Sequence, residues 1–110
     1  MNMNLETNKI SDFRDKSLLI VDDEAPFRNR LARAMEKKGF VVSQAEGVKT
    51  GTQKVIESSP AFAVIDLRLD DGNGLEIIKK LKKLSKESRV IMLTGYGNIP
   101  TTVAAIKNGA

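Results

Sequence analysis

Four residues with oxygen-bearing side chains each follow a short apolar run, and this placement makes them candidates for chemistry. Asp22 and Asp23 follow the first such run, Asp66 the third and Thr94 the fourth. Gathered carboxylates repel one another unless a cation compensates, and oxygen ligands that leave room for water and phosphate favour Mg²⁺. Beside such a cation, ionised Asp66 could attack a phosphoryl group in line, and the Thr94 hydroxyl could donate to a phosphoryl oxygen.

Each candidate also has an ordinary structural interpretation. Asp22 and Asp23 could cap the helix that follows them, and Asp66 could begin a turn after its strand. The stretch Asp71-Gly-Asn-Gly74 has the composition of a turn, and a Thr-Gly pair after a strand is common. The joint placement of these residues, rather than any one of them, favours the chemical interpretation.

Short apolar runs and amphipathic segments alternate along the chain. The pattern predicts strands at 17–21, 40–44, 61–65 and 89–93, and helices at 25–38, 48–58, 75–84 and about 99–107. The inward helix positions are predicted to include Ala34, Val55, Ile56 and Leu84. Alternation of this kind indicates an α/β fold with a parallel sheet, in which all carboxyl ends of the strands lie along one edge.

Composition restricts the possible functions. The 110 residues contain no histidine and no cysteine, which excludes disulfides, thiolate catalysis, imidazole metal sites and phosphohistidine on this chain. Any phosphoryl donor therefore lies elsewhere. Residues 1–16 are polar and aperiodic and are predicted to be a flexible extension before a single domain at 17–110. No apolar run approaches the roughly 20 residues of a membrane span, so a cytoplasmic location is expected.

The net charge of +4 could suggest binding to nucleic acid, but much of the basic excess lies in one run at 79–86. No aromatic residues alternate with these lysines, as a nucleic-acid platform would require. We therefore interpret the run as a solvated helix face.

Taken together, these motifs resemble the response regulator receiver domain of two-component systems. The resemblance rests on Val21-Asp22-Asp23-Glu24, on Val64-Ile-Asp66-Leu67, on Asp71-Gly-Asn-Gly74 and on Leu93-Thr94-Gly95, in that order and spacing. The segments at 33–39, 66–74 and 93–98 look most like the RegA/PrrA/ActR branch of redox-responsive transcriptional regulators. The resemblance implies a flavodoxin-like (CheY-like) doubly wound parallel sheet with strand order 2-1-3-4.

The resemblance also implies roles for individual residues. Asp66 would be the phosphoacceptor, and Thr94 would sense the phosphate. Asp22, Asp23 and Asp66 would hold Mg²⁺ together with the backbone carbonyl of Arg68. The donor would be a partner sensor histidine kinase, and the protein would switch transcription without being an enzyme, apart from self-catalysed phosphoryl transfer and autodephosphorylation.

Domains of this family continue into a fifth strand, which bears a lysine that pairs with the phosphate, and a fifth helix. Both are expected to be absent from this chain, so the domain at 17–110 would be incomplete at its carboxyl end. The strand at 89–93 would then be an exposed edge, open to self-association or homodimer formation. Contact with DNA would occur only through an output domain that this chain does not contain.

Three alternatives remain open from the sequence. The chain could be an interaction module of the same fold that is never phosphorylated. It could be a phosphatase of the haloacid-dehalogenase type, although such enzymes place a second aspartate where this chain has Arg68. It could be a flavodoxin-like flavin carrier, although Asp22, Asp23 and Glu24 would repel a phosphate after the first strand.

Overall fold

The computed structural model describes residues 15–93. Nine elements follow one another in this range: β1 (Ser17–Val21), α1 (Ala25–Lys37), β2 (Val41–Ala45), α2 (Val48–Ser58), β3 (Phe62–Asp66), β4 (Arg68–Leu69), β5 (Gly72–Asn73), α3 (Leu75–Leu84) and β6 (Arg89–Leu93). The predicted bounds of the long elements agree with these to within one residue. The short hairpin β4–β5 was not predicted. The predictions for residues 1–14, for Thr94 and for a helix at 99–107 lie outside the described residues.

Four strands form one parallel sheet in the order β2-β1-β3-β6. Since β6 is the fourth long strand, the predicted order 2-1-3-4 is confirmed. β1 and β3 are neighbours in the centre of the sheet. The helix after β1 packs on one face and the helix after β3 on the other, so successive strands are added in opposite directions on the two sides of this pair. Ligands of open α/β sheets bind at this kind of position, at the carboxyl ends of the strands.

Two apolar clusters cover the two faces of the sheet. Leu19 and Val21 of β1 point to the face where α2 and α3 pack, whereas Leu18 and Ile20 point to the face that α1 covers. Both sets are buried, so β1 has a continuous apolar sequence instead of an alternating one. The ring of Phe40 meets the ring of Phe62 edge to face, with centroids 5.2 Å apart, at the margin of the second cluster.

The helices bury fewer of their apolar residues than the sequence pattern predicted. Three inward predictions were wrong: Ala34 is exposed, and Ile56 and Leu84 are 58% and 47% exposed. On α1 the buried alanine is Ala32. Residues two positions apart lie on roughly opposite sides of a helix, so Ala34 points away from the sheet that Ala32 contacts. On α2 Val55 is fully buried, as predicted. A helix on a flat sheet buries only one stripe, and a neighbouring apolar residue falls outside it.

The basic run at 79–86 is only partly a solvated face. Lys79, Lys83 and Lys86 are exposed, as predicted. The ammonium of Lys82 instead donates hydrogen bonds to the backbone carbonyls of Lys86 and Ser88, each at 2.7 Å. This contact stabilises the turn between α3 and β6. In residues 15–93 no helix has the length and apolar character that a membrane crossing requires.

Candidate functional site

The three predicted aspartates meet at the carboxyl edge of the sheet. One carboxylate oxygen from each of Asp22, Asp23 and Asp66 lies within 4.8 Å of the others. Asp22 and Asp23 follow β1, and Asp66 is the last residue of β3, which pairs with β1 in parallel. The parallel pairing therefore brings together residues that are far apart in the sequence.

The loop after β1 holds Asp22 by hydrogen bonds at both its backbone and its side chain. The amide of Asp22 donates to the carbonyl of Ala45 at 3.1 Å, and its carboxylate accepts the amide of Glu24 at 2.8 Å. The Arg28 guanidinium donates to the carbonyl of Asp22 and also to the side chain of Gln44. Asp22 is 6% exposed.

Neither Asp22 nor Asp23 caps α1. The residue at the N-cap position is Glu24, and no side chain caps the helix there. The alternative interpretation of this pair as helix caps is therefore wrong. Both carboxylates remain available to a ligand in the pocket.

Asp66 ends β3 at the point where the chain turns back on itself. Its carboxylate accepts the amide of Arg68 at 3.0 Å, so the proposed turn at Asp66 does form, alongside its place in the cluster. Gly74 packs against the backbone here, since a Cβ on it would lie 2.2 Å from the carbonyl oxygen of Asp66. The segment from 66 to 74 can close only with glycine at this position.

The surroundings of Asp66 disfavour its charged form. Partial burial raises the pKa of Asp66, and the nearby carboxylates of Asp22 and Asp23 raise it further. The hydrogen bond from the amide of Arg68 and the charge of its guanidinium act in the opposite direction, but they do not outweigh burial and repulsion. A cation bound among these groups would remove the repulsion.

Asp70 is a pocket residue that the sequence reasoning missed. Asp70 lines the same pocket as the three aspartates, together with Glu24 and Arg68. A side-chain contact with Asp23 and the charge of that carboxylate raise the pKa of Asp70. Asp70 is the first residue of the two-residue turn between β4 and β5. The only signal for it in the sequence was its position directly before Asp71, where the predicted turn began.

The donor set fits a divalent cation. The three clustered residues offer anionic oxygen and no nitrogen or sulfur, which suits a hard cation. The pocket is open to solvent on one side, where Asp23 and Asp66 remain partly exposed, so water or phosphate oxygens can complete the coordination. Arg68 also lines the pocket, and the role of its backbone carbonyl as a ligand stays a prediction.

Comparison with known proteins decides the family. The model of the "Response regulator receiver domain" matches residues 18–110. The chain belongs to this family. The receiver domain is 56% identical over 96 residues to the photosynthetic apparatus regulatory protein RegA of Rhodobacter capsulatus, covering 87% of this chain and 52% of the relative. It is 55% identical over 96 residues to the acid tolerance regulatory protein ActR of Rhizobium meliloti, covering 87% of this chain and 50% of the relative.

The resemblance to this branch of regulators is thereby confirmed, for the receiver part of the relatives. The chain spans about half the length of the curated relatives that it matches.

Solved structures agree on the fold. A response regulator from Burkholderia pseudomallei, crystallised with a phosphorylated aspartic acid, a calcium ion and citrate, superposes with a TM-score of 0.82 at 36% identity, covering 87% of this chain and 56% of that one. A CheY-like receiver domain protein from Methanospirillum hungatei gives 0.81 at 30% identity, covering 87% and 77%. The predicted CheY-like class is confirmed.

Proposed function

We propose that this receiver domain accepts a phosphoryl group on Asp66, with Mg²⁺ as the cation, and so controls a transcriptional output. The observation that carries the proposal is the meeting of Asp22, Asp23 and Asp66 within 4.8 Å at the carboxyl edge of the sheet. The phosphorylated aspartic acid of the Burkholderia relative supports the same chemistry at a shared fold.

Asp22, Asp23 and Asp66 would hold Mg²⁺, together with the backbone carbonyl of Arg68. When bound, the ion supplies positive charge that offsets the repulsion among the carboxylates and the charge of the incoming phosphate. Asp22 is already oriented by the amide of Glu24 and by the guanidinium of Arg28. Little rearrangement of that loop is therefore needed for binding.

The transfer step forms one bond and breaks one. A carboxylate oxygen of Asp66 attacks phosphorus in line, and the bond from phosphorus to the donor atom breaks with its electron pair on the donor. The amide of Arg68 already donates to one oxygen of Asp66, which orients the carboxylate for attack by the other oxygen. The Thr94 hydroxyl would donate to a phosphoryl oxygen of the product.

The donor would be a sensor histidine kinase, as membership of the receiver family implies, and it would be a separate protein because this chain has no histidine to carry the phosphate. In this function the domain is not an enzyme in the usual sense, because it transfers a phosphoryl group to itself once and then loses it to water. A cytoplasmic location and contact with DNA through a separate output domain complete the proposal. The relatives RegA and ActR support this, as regulatory proteins of which the match to this chain covers only about half.

Homodimers or self-association through β6 are part of the proposal as well. In residues 15–93, β6 pairs with β3 on one side only, and the side chain of Ile91 in this strand is 63% exposed. An exposed apolar edge strand favours pairing with a second chain.

Intact mass spectrometry tests the central claim. We expect the chain, incubated with MgCl₂ and acetyl phosphate, to gain the mass of one phosphoryl group, and Asp66→Asn to gain none. Asp15→Asn is the matched control, because Asp15 precedes β1 at the opposite edge of the sheet and should leave uptake unchanged. Equal uptake by wild type and Asp66→Asn would overturn the assignment.

The same measurement separates the alternatives. An interaction module that is never phosphorylated would gain no mass under any condition. A phosphatase would release inorganic phosphate rapidly while little phosphorylated chain accumulates, whereas a phosphoacceptor accumulates one phosphoryl group per chain and loses it slowly to water.

A further inference from the structure

The tip of the β4–β5 hairpin is attached to the start of α2. The carboxylate of Asp71 accepts the backbone amides of Val48 and Lys49, at 2.7 and 3.1 Å. These are the first two residues of α2, and amides in a first turn have no partner inside the helix. The N-cap residue Gly47 has no side chain to supply one. Asp71 therefore caps α2 from a distant part of the chain.

Gly47 provides the space that this contact needs. A Cβ at Gly47 would lie 2.6 Å from an oxygen of the Asp71 carboxylate, which would have to move. The backbone of Gly47 is extended, with φ −158°, so an alanine there is free of backbone strain. The close fit between Gly47 and Asp71 shows that α2 is shaped to receive this carboxylate.

The other end of the hairpin is attached at the site. The amide of Gly74 donates to the carbonyl of Leu67, and the amide of Leu67 donates to the carbonyl of Leu93, both at 2.8 Å. Arg68 and Asp70 lie between this fixed base and the tip that Asp71 holds, and both line the pocket. The two attachments thus lie on either side of both pocket residues.

We infer that Asp71 is a positioning residue for the cation site: by fixing the hairpin tip on α2, it holds Arg68 and Asp70 against the three clustered aspartates. The inference rests on the proposed function, because it concerns the same site. The hydrogen bonds to Val48 and Lys49 also lower the pKa of Asp71, so the carboxylate is charged at neutral pH. Burial of Leu69 holds the hairpin too, so the effect of losing Asp71 is partial.

The competing explanation is that Asp71 only stabilises α2. Thr50→Val is the control for it. The Thr50 hydroxyl accepts the amides of Gly47 and Glu46 at 3.1 and 3.2 Å, so it stabilises the same end of α2 without touching the hairpin. If helix stability were all that mattered, loss of Thr50 and loss of Asp71 would act alike on cation binding.

The test is titration of the full chain with MgCl₂, followed by amide chemical shifts in the absence of a phosphodonor. We expect Asp71→Ala to raise the Kd for Mg²⁺ about 3- to 10-fold, somewhat less than typical losses of groups bonded directly to metal ligands. Asp71→Asn, which keeps one acceptor oxygen, should lie between Asp71→Ala and wild type. Thr50→Val should change the Kd less than about twofold, in line with a site that it does not contact.

Gly47→Ala is an independent second variant. It keeps the Asp71 carboxylate and displaces it from α2, so it should raise the Kd in the same direction as Asp71→Ala. This variant maintains the test if Asp71→Ala does not fold. Asp23→Asn, which removes a carboxylate from the cluster, should abolish the shifts and so identify the site being titrated.

The outcomes separate this inference from the proposed function. A wild-type Kd in both Asp71→Ala and Gly47→Ala overturns the inference, as does an equal loss in Thr50→Val. Absence of Mg²⁺ binding in wild type overturns the inference and the proposed cation together. Mg²⁺ binding by wild type without phosphoryl uptake overturns the proposed function and leaves the positioning role standing.

Discussion

At the scale of single residues, the folded protein without a cation disfavours the charged form of the Asp66 carboxylate. Asp66 lies in a partly buried position beside Asp22 and Asp23, and both circumstances raise its pKa. Groups whose pKa is shifted in this way cluster at binding and catalytic sites, which is consistent with a ligand-binding role for Asp66. When a cation binds beside it, the charged carboxylate of Asp66 stabilises the folded protein instead of destabilising it.

Asp66→Asn should therefore stabilise the metal-free protein at pH 7. A raised carboxyl pKa means that stability is present below the ordinary value near 4 and is lost as pH rises through the raised value. After allowance for solvent screening we expect about 0.5 kcal/mol, or about 2–4 °C in Tm. Thermal unfolding in the presence of a chelator measures it.

The difference between the two proteins should shrink as pH falls through about 4 and vanish near pH 3, where Asp66 is mostly protonated in both the folded and the unfolded state. Equal Tm values of the two proteins at pH 7, or a difference of unchanged size at about pH 3, would contradict this effect of the raised pKa of Asp66.

At the scale of elements, α3 shows how one helix both builds the core and ends the site loop. Ile77, Ile78 and Leu81 are fully buried against the sheet, and the amino end of the helix follows Gly74 at the pocket. Asn73 supports that end by accepting the amide of Leu75 at 2.8 Å. The packing of α3 thus also determines where the segment after Asp66 returns to the sheet.

Two leucines of α3 give a matched test of this packing. Leu81 is 0% exposed and Leu84 is 47% exposed, one turn apart on the same helix. We expect Leu81→Ala to lower the free energy of unfolding by about 2–5 kcal/mol, because it leaves a cavity. Leu84→Ala should cost about 0.5 kcal/mol, as is usual at exposed positions. Urea unfolding followed by circular dichroism compares them, and similar losses for the two variants would refute the burial pattern.

At the scale of the whole molecule, cation binding and folding are coupled. The three clustered aspartates come from two strands, and only the assembled sheet brings them together. A ligand that binds only the folded state stabilises it by mass action. The stability of this domain should therefore depend on the concentration of divalent cation.

We expect MgCl₂ at about 100 times its Kd to add about 2.7 kcal/mol to the free energy of unfolding of wild type. Asp23→Asn should lose most of this gain, because it removes a ligand carboxylate. NaCl at matched ionic strength is the control for general screening. Chemical denaturation at fixed MgCl₂ concentrations measures the effect, and an equal response of wild type and Asp23→Asn would show that the cation acts elsewhere.

Much of this architecture could be predicted from the sequence, because burial of a strand or helix requires a pattern of apolar residues within a few consecutive positions. The apolar run of β1, the helix periodicity of α3 and the strand-end positions of Asp22, Asp23 and Asp66 all follow from patterns a few residues long. Parallel strands share a carboxyl edge, so the meeting of the aspartates follows from strand direction.

Other features could be decided only by the tertiary structure, because they depend on contacts between distant segments. Nothing near Asp71 indicates that its partners are Val48 and Lys49, 23 and 22 residues away. The place of Asp70 beside Asp23 depends on that same attachment, and the exposure of Ile56 depends on how α2 lies on the sheet. Local sequence determines which elements form, whereas packing determines which side chains of neighbouring elements meet.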